Sequence, residues 1–89
     1  MKTVIFILVP VSQSEAIAEI KEKIVKYLGS RMIEHNPDDI PAIATNCPLD
    51  PEDKAAIVNY ITSRDDRSCA IFLETDKETL NNDYFVFSI

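Results

Sequence analysis

The sequence predicts an α+β domain in which two helices cover one face of a small β-sheet. Three observations predict this class. An apolar run near the N-terminus is typical of a buried strand, two segments carry helix start signals, and short β-branched or aromatic runs lie between and after them. The elements follow in the order β-α-β-β-α-β, with one further strand at the C-terminus. A chain of 89 residues is expected to form a single domain, residues 1–89.

The first strand is predicted within the apolar run from Thr3 to Val11. The run is too short for a membrane span, and its valines and isoleucines are typical of a strand that is buried on both faces. A lysine before such a run also resembles the start of a short secretory signal. Lys2 alone is a weak positive region, however, and cleavage would remove the central strand. We therefore expect a cytoplasmic protein that keeps this run.

The first helix is predicted to begin at Ser12-Gln13-Ser14-Glu15. A serine followed three residues later by glutamate is the pattern of a capping box. Gly29, the sole glycine, stands where a residue with positive φ often ends a helix. The apolar stripe between these signals consists of Ile17, Ile20, Ile24, Val25 and Leu28.

A hairpin and a second helix are predicted next. Residues 31–35 are predicted as an edge strand, residues 36–39 as a polar turn and residues 40–45 as a third strand. The second helix is predicted to begin at Asp50-Pro51, because aspartate caps helices, proline fits the first helical position and acidic residues follow. Its buried face is expected to contain Ala56, Ile57, Tyr60 and Ile61.

Residues 68–74 are predicted as the fourth strand and residues 84–89 as a fifth. The whole order is that of a ferredoxin-like βαββαβ sandwich with an additional C-terminal strand. Right-handed crossovers place the first and third strands side by side in the centre of such a sheet.

Two helices cover only one face of this sheet, although the first strand is apolar on both faces. The second face therefore needs a cover, and we expect another copy of the chain to supply it in a homodimer. The alternative is that the terminal segment folds over its own sheet. The residues expected at the dimer interface are Ile5, Ile7, Val9, Tyr84, Phe85, Val86 and Phe87.

Charge is distributed unevenly along the chain. The net charge is −6; residues 1–35 carry five basic and four acidic residues, whereas residues 36–89 carry four basic and eleven acidic residues. An acidic second half favours a basic protein partner over nucleic acid. Cys47 and Cys69 have no metal-binding spacing and are predicted as buried thiols of an intracellular protein.

The sequence predicts no catalytic, metal or cofactor site. His35 with Asp38 and Asp39 could form a metal or acid-base cluster, but a histidine beside a polar turn is more often simply exposed. Ser12 and Ser14 have no motif that supplies a base. The only basic cluster consists of Lys21, Lys23, Lys26 and Arg31. Glu19 and Glu22 are interleaved with it, as is typical of a solvated helix face.

The placement of caps and turns is similar to that of a known family. The features are a strand leading to Ser12, a third strand running through Thr45-Asn46 into Asp50-Pro51-Glu52, and Arg64-Asp65-Asp66 before an apolar strand. This order resembles the small CRISPR-associated integration subunit and related ferredoxin-fold ribonucleases and antitoxins.

The resemblance implies a dimer, and it also bears on activity. Members thought to cut nucleic acid carry an aspartate at the end of the first strand, which binds a metal across the dimer axis. Here Val9, Pro10 and Val11 occupy that stretch. The resemblance therefore implies a member without this metal ligand and without the nuclease activity.

These observations together predict a non-catalytic, homodimeric binding or regulatory module, such as an antitoxin-like or accessory protein. The alternative is a metal-dependent endoribonuclease of the same fold. Its carboxylates would come from Asp38, Asp39 or Asp50.

Overall fold

The computed structural model describes residues 2–29, 32–36 and 40–75. A short 3₁₀ helix joins the first strand to the first α-helix, and the predicted fifth strand, residues 84–89, lies outside the described residues. The described part of the chain is α+β, as the sequence predicts. Its elements are β1 Lys2–Leu8, α1 Ala16–Leu28, β2 Ile33–His35, β3 Ala42–Thr45, α2 Pro51–Ser63 and β4 Cys69–Thr75.

The four strands form one antiparallel sheet in the order β2-β3-β1-β4. Ile5 of β1 lies opposite Ile43 of β3 and also opposite Phe72 of β4. The prediction that the first and third strands are central neighbours is confirmed. β1 lacks polar alternation because its side chains are buried on both faces of the sheet. The arrangement is compatible with a ferredoxin-like fold.

The hydrophobic core lies between the sheet and the two helices. Alternate residues of β1 and β3 contact the buried stripes of α1 and α2, and Leu49 closes the core at the start of α2. The buried members of this core are Ile5, Ile7, Ala16, Ile20, Ile24, Leu28, Ile43, Leu49, Ile57 and Ile61.

The helices cover the face of β1 that was expected to form a dimer interface. Ile5 and Ile7 are buried in the helix-covered core, and Val9 packs against it. The expectation for Ile5 and Ile7 is therefore corrected, because a side chain buried beneath the helices has no surface to offer a second copy, whereas Val9 is only partly buried. Residues alternate between faces along a strand, so Val4, Phe6 and Leu8 lie on the other side. Both sets are apolar, so the pattern did not reveal which set faces the helices.

The α1 helix begins at Ala16, later than the capping box predicts. Val11–Gln13 forms a 3₁₀ turn, and Glu15 at the N-cap has helical torsions with no side-chain capping bond. The reason lies in the backbone at Pro10, whose carbonyl accepts the N–H of Gln13 at 2.8 Å. The chain already turns there, so Ser12 lacks the extended conformation that an N-cap requires.

The other predicted helix signals agree with the structure. Gly29 has φ 76° and donates its N–H to the carbonyl of Val25 at 2.8 Å, which closes α1. Asp50 is extended at the N-cap of α2, and Pro51 is the first helical residue, although the Asp50 side chain makes no capping bond. The positions of these residues, rather than side-chain capping, mark the helix ends.

Candidate functional site

Of the residues considered for metal or acid-base chemistry, His35 and Asp50 lie in the described part of the chain. Asp50 is exposed at the start of α2, and His35 is partly buried on β2. Asp38 and Asp39 lie outside the described residues. Within residues 2–29, 32–36 and 40–75, no three His, Cys, Asp or Glu side chains are placed to hold a metal ion.

The predicted basic face of α1 is divided by burial. Lys21 is buried, and its Nζ donates a hydrogen bond to the carbonyl oxygen of Ile40 at 2.6 Å. This bond joins α1 to the segment that leads into β3. Lys23 and Lys26 are exposed, whereas Arg31 lies outside the described residues. The solvated cations of α1 are therefore fewer than the sequence pattern suggests.

The two cysteines are free thiols in different environments. Cys47 is partly buried, whereas Cys69 is exposed at the start of β4, opposite Leu8 of β1. Its neighbour Ala70 packs against the helix-covered core, so the strand period turns Cys69 to the other face. The prediction of a buried thiol is wrong for Cys69.

The sheet face opposite the helices has a buried apolar centre. This centre consists of Val4 and Phe6 of β1 with Ala42 and Ala44 of β3, all of which are buried. Ile40 packs against the same cluster and is itself partly buried. The centre of this face is thus occupied by apolar contacts rather than by polar side chains.

An exposed apolar strip lies on the same face, along β4. Leu8 is 43%, Ile71 51% and Leu73 44% exposed. Ile71 and Leu73 share a face with the apolar centre because they lie opposite Phe6 and Val4, which belong to it. Leu8 follows Phe6 and Val4 at alternate positions along β1 and lies opposite Cys69. We call these four exposed residues, Leu8, Cys69, Ile71 and Leu73, the β4 strip. It is the main surface feature of this face that the sequence did not predict.

The charged residue next to the β4 strip in sequence, Glu74, lies on the helix-covered side of the sheet and is paired. Glu74 is the one charged residue of β4, and it accepts hydrogen bonds from Lys54 Nζ at 2.7 Å and from Thr3 Oγ1 at 2.9 Å. These two donors, Lys54 foremost, lower the pKa of the Glu74 carboxyl. At the same end of the sheet, Lys2 Nζ lies 2.6 Å from Glu34 Oε1. The strip itself contains no charged residue.

The two edges of the sheet differ in their capacity to accept another strand. β2 has three residues and a register shift between Ile33 and His35, and short bulged strands blunt an edge. β4 has seven residues, contains neither proline nor lysine, and pairs with β1 without a register shift. Within the described part of the chain, β1 is the only strand that pairs with β4. The outer edge of β4 therefore offers regular backbone donors and acceptors.

A groove of about 200 Å³ lies between α1 and α2. Polar bridges join the helices on either side of it: Tyr27 Oη donates to Asp53 at 3.0 Å, and Arg64 donates to Glu19 at 3.1 Å. The bridges fix the separation of the two helices. The lining residues are Lys23, Ile24, Tyr27, Ala56, Ile57 and Tyr60.

No protein-family model, curated protein or solved structure matches the chain. Neither of the helices described in the structure is long and apolar enough to cross a lipid bilayer. The β4 strip and the regular edge of β4 are thus the features from which a function is argued.

Proposed function

We propose that the chain is a non-catalytic, homodimeric binding module with a ferredoxin-like βαββαβ fold, and that the β4 strip is the contact between its two copies. The observation that carries this proposal is the exposure of Leu8, Ile71 and Leu73 at neighbouring positions of two paired strands. Adjacent exposed apolar side chains of this size are typical of interaction surfaces.

A second copy of the chain is the partner that fits this strip. In a dimer with a two-fold axis the same patch meets itself, so the patch must be complementary to itself. An uncharged apolar strip meets this condition, whereas the acidic surface of a chain with net charge −6 repels its copy. Glu74 is paired with Lys54 on the helix side of the sheet, and Lys2 is paired with Glu34.

The size of the strip predicts a weak dimer. Full burial of a leucine or isoleucine contributes about 1.5–3 kcal/mol, and each of the three side chains is already about half buried. Six such side chains in a dimer therefore contribute about 5–9 kcal/mol. Association itself costs about 4–15 kcal/mol. At most about 5 kcal/mol therefore remains, and we expect a dissociation constant of about 0.2–1 mM.

The proposal is tested by measuring molar mass with light scattering between about 10 µM and 1 mM protein, the range in which such a dimer dissociates. The wild-type mass is expected to rise from 10.0 kDa towards twice that value. Leu73→Lys is expected to stay monomeric because a charge in the strip cannot be buried. Val58→Lys is the matched control, since Val58 is 42% exposed but lies on α2. A wild type that stays monomeric contradicts the proposal. An equal loss of dimer in Leu73→Lys and Val58→Lys contradicts it as well.

The proposal keeps the four C-terminal residues expected at the interface, which lie outside the described residues. They are tested separately by changing Phe85 and Phe87 together to serine. A weaker dimer with unchanged circular dichroism would support their participation. An unchanged dissociation constant would remove them from the interface. The four residues are Tyr84, Phe85, Val86 and Phe87.

We further propose that the module binds a basic protein partner in the cytoplasm. Residues 36–89 carry eleven acidic and four basic residues, and Asp50 and Glu52 are exposed where α2 begins. Two free thiols are typical of a reducing compartment. We expect the chain to bind polylysine but not RNA at low ionic strength, in both cases measured by fluorescence anisotropy.

The alternative function, a metal-dependent endoribonuclease, has a direct test. Purified protein is incubated with labelled RNA and Mg²⁺ or Mn²⁺, next to variants in which Asp38 and Asp39, or Asp50, are changed to asparagine. We expect no metal-dependent cleavage by the wild type. Cleavage by the wild type that is lost in a variant would overturn the non-catalytic proposal.

A further inference from the structure

We infer that the two copies join by pairing β4 of one copy with β4 of the other, so that two four-stranded sheets become one continuous antiparallel sheet. This inference rests on the proposed function and specifies its geometry. Exposed edge strands are sites at which another strand adds by main-chain hydrogen bonds.

The contrast between the two edges selects β4. The edge at β2 has three residues and a bulge, which are features that blunt an edge. β4 lacks these features, since it is seven residues long, has a regular register and contains no proline or lysine. Its Ile71 and Leu73 also stand exposed beside that edge. An added strand would therefore gain both backbone pairing and apolar contact.

The two-fold axis fixes the register of this pairing. The midpoint of Cys69–Thr75 is Phe72, and centring the axis there pairs all seven residues of each strand. Ile71 then lies opposite the partner's Leu73, and Leu73 lies opposite the partner's Ile71. Directly opposed side chains on one face are the closest contacts between strands. Four apolar side chains from the two β4 strips thus form one cluster across the axis.

The same register avoids a repulsion between like charges. Glu74, the only charged residue of β4, lies opposite the partner's Ala70. The two Glu74 residues are four positions apart along the strands, which is about 14 Å. This separation exceeds the screening length of about 8 Å at physiological ionic strength. Each Glu74 also keeps its Lys54 partner, since Lys54 lies on α2 of the same copy.

Disulfide trapping tests this register with the full chain. Cys47 and Cys69 are first changed to serine, and Ile71→Cys and Leu73→Cys are then made singly and together. Opposed residues have Cα atoms about 4.5–5.5 Å apart, which a disulfide can bridge. Two Ile71 residues across the axis are about 8 Å apart, which is beyond that range. We expect the double variant to form covalent dimer at least about ten times faster than either single variant.

Val58→Cys in the same background is the control for collisions, because Val58 has similar exposure but lies on α2. It is expected to cross-link no faster than the single β4 variants. Light scattering on the wild type separates the two proposals. A wild-type dimer whose double variant does not cross-link faster would overturn the β4 pairing and leave the homodimer. A monomer at every concentration, as expected if the chain's own C-terminal segment occupies this edge, would overturn both.

Discussion

At the scale of single residues, Thr3 links four segments of the chain. Its buried hydroxyl accepts the N–H of Leu49 at 3.0 Å and donates to the carboxylate of Glu74 at 2.9 Å. Its own N–H donates to the hydroxyl of Thr45 at 3.1 Å. Through these bonds β1 holds β3, β4 and the segment that leads into α2. A threonine inside an apolar run therefore has a structural role that the hydrophobic pattern does not reveal.

We predict that Thr3→Val lowers the free energy of unfolding by about 1–3 kcal/mol, because the buried N–H of Leu49 loses its acceptor. Valine has nearly the same shape as threonine, so the loss reports on hydrogen bonding rather than on packing. Urea denaturation measures the change. Thr3→Ser is the control that keeps the hydroxyl. If Thr3→Val lowers the free energy of unfolding no more than Thr3→Ser does, these hydrogen bonds contribute little to stability.

The Lys54–Glu74 pair predicts a dependence of stability on pH. The hydrogen bond from Lys54, followed by that from Thr3, holds the pKa of Glu74 below its ordinary value of about 4.3. A carboxyl with a lowered pKa in the folded state contributes stability above its unfolded pKa. The contribution is lost as the pH falls through the folded pKa. The pair therefore stabilises the fold above about pH 4.3 and ceases to do so under more acidic conditions.

We predict that Lys54→Met reduces the difference in unfolding free energy between pH 6 and pH 3, because Glu74 then titrates closer to its unfolded pKa. Urea denaturation at a series of pH values measures this difference. Lys26→Met, which changes an exposed lysine of α1, is expected to keep the wild-type difference. An equal difference in wild type and Lys54→Met would contradict a stabilising role for the pair.

At the scale of elements, the start of α1 shows how backbone geometry overrides a capping motif. Ser12 lies inside the 3₁₀ turn, and the N-cap of α1 makes no side-chain hydrogen bond. We predict that Ser12→Ala changes the free energy of unfolding by less than about 0.5 kcal/mol, whereas loss of a working serine cap costs about 1 kcal/mol. Thermal or urea denaturation measures the difference. A loss of 1 kcal/mol or more would favour the capping box.

The elements also show what sequence reasoning reaches and what it misses. The start of α2 was predictable because Asp50-Pro51 restricts the backbone locally, and the end of α1 because Gly29 adopts positive φ. The covered face of β1 was not predictable, because it depends on where distant helices pack. The β4 strip was missed for a related reason. Ala70 to Leu73 is apolar throughout, so no alternation marks Ile71 and Leu73 as exposed.

At the scale of the whole molecule, the helices and the β4 strip lie on opposite sides of the sheet. The core between sheet and helices is formed by buried residues of both layers within one copy. Leu8, Ile71 and Leu73 are about half exposed on the other side and would gain burial in the proposed dimer. Dimer formation is therefore expected to add to the stability of a folded monomer rather than to be required for folding.

This arrangement predicts that the thermal midpoint depends on protein concentration. Anything that binds only the folded chain stabilises it by mass action, and the ligand here is another copy. With about 0.7 kcal/mol of unfolding enthalpy per residue, a dimer of 89-residue chains gains about 4 °C for each tenfold rise in concentration above its dissociation constant. Differential scanning calorimetry measures this slope. Leu73→Lys is expected to show a slope near zero and Val58→Lys the wild-type slope, because only the first change places a charge in the β4 strip. A wild-type midpoint that is constant up to millimolar concentration would contradict the association.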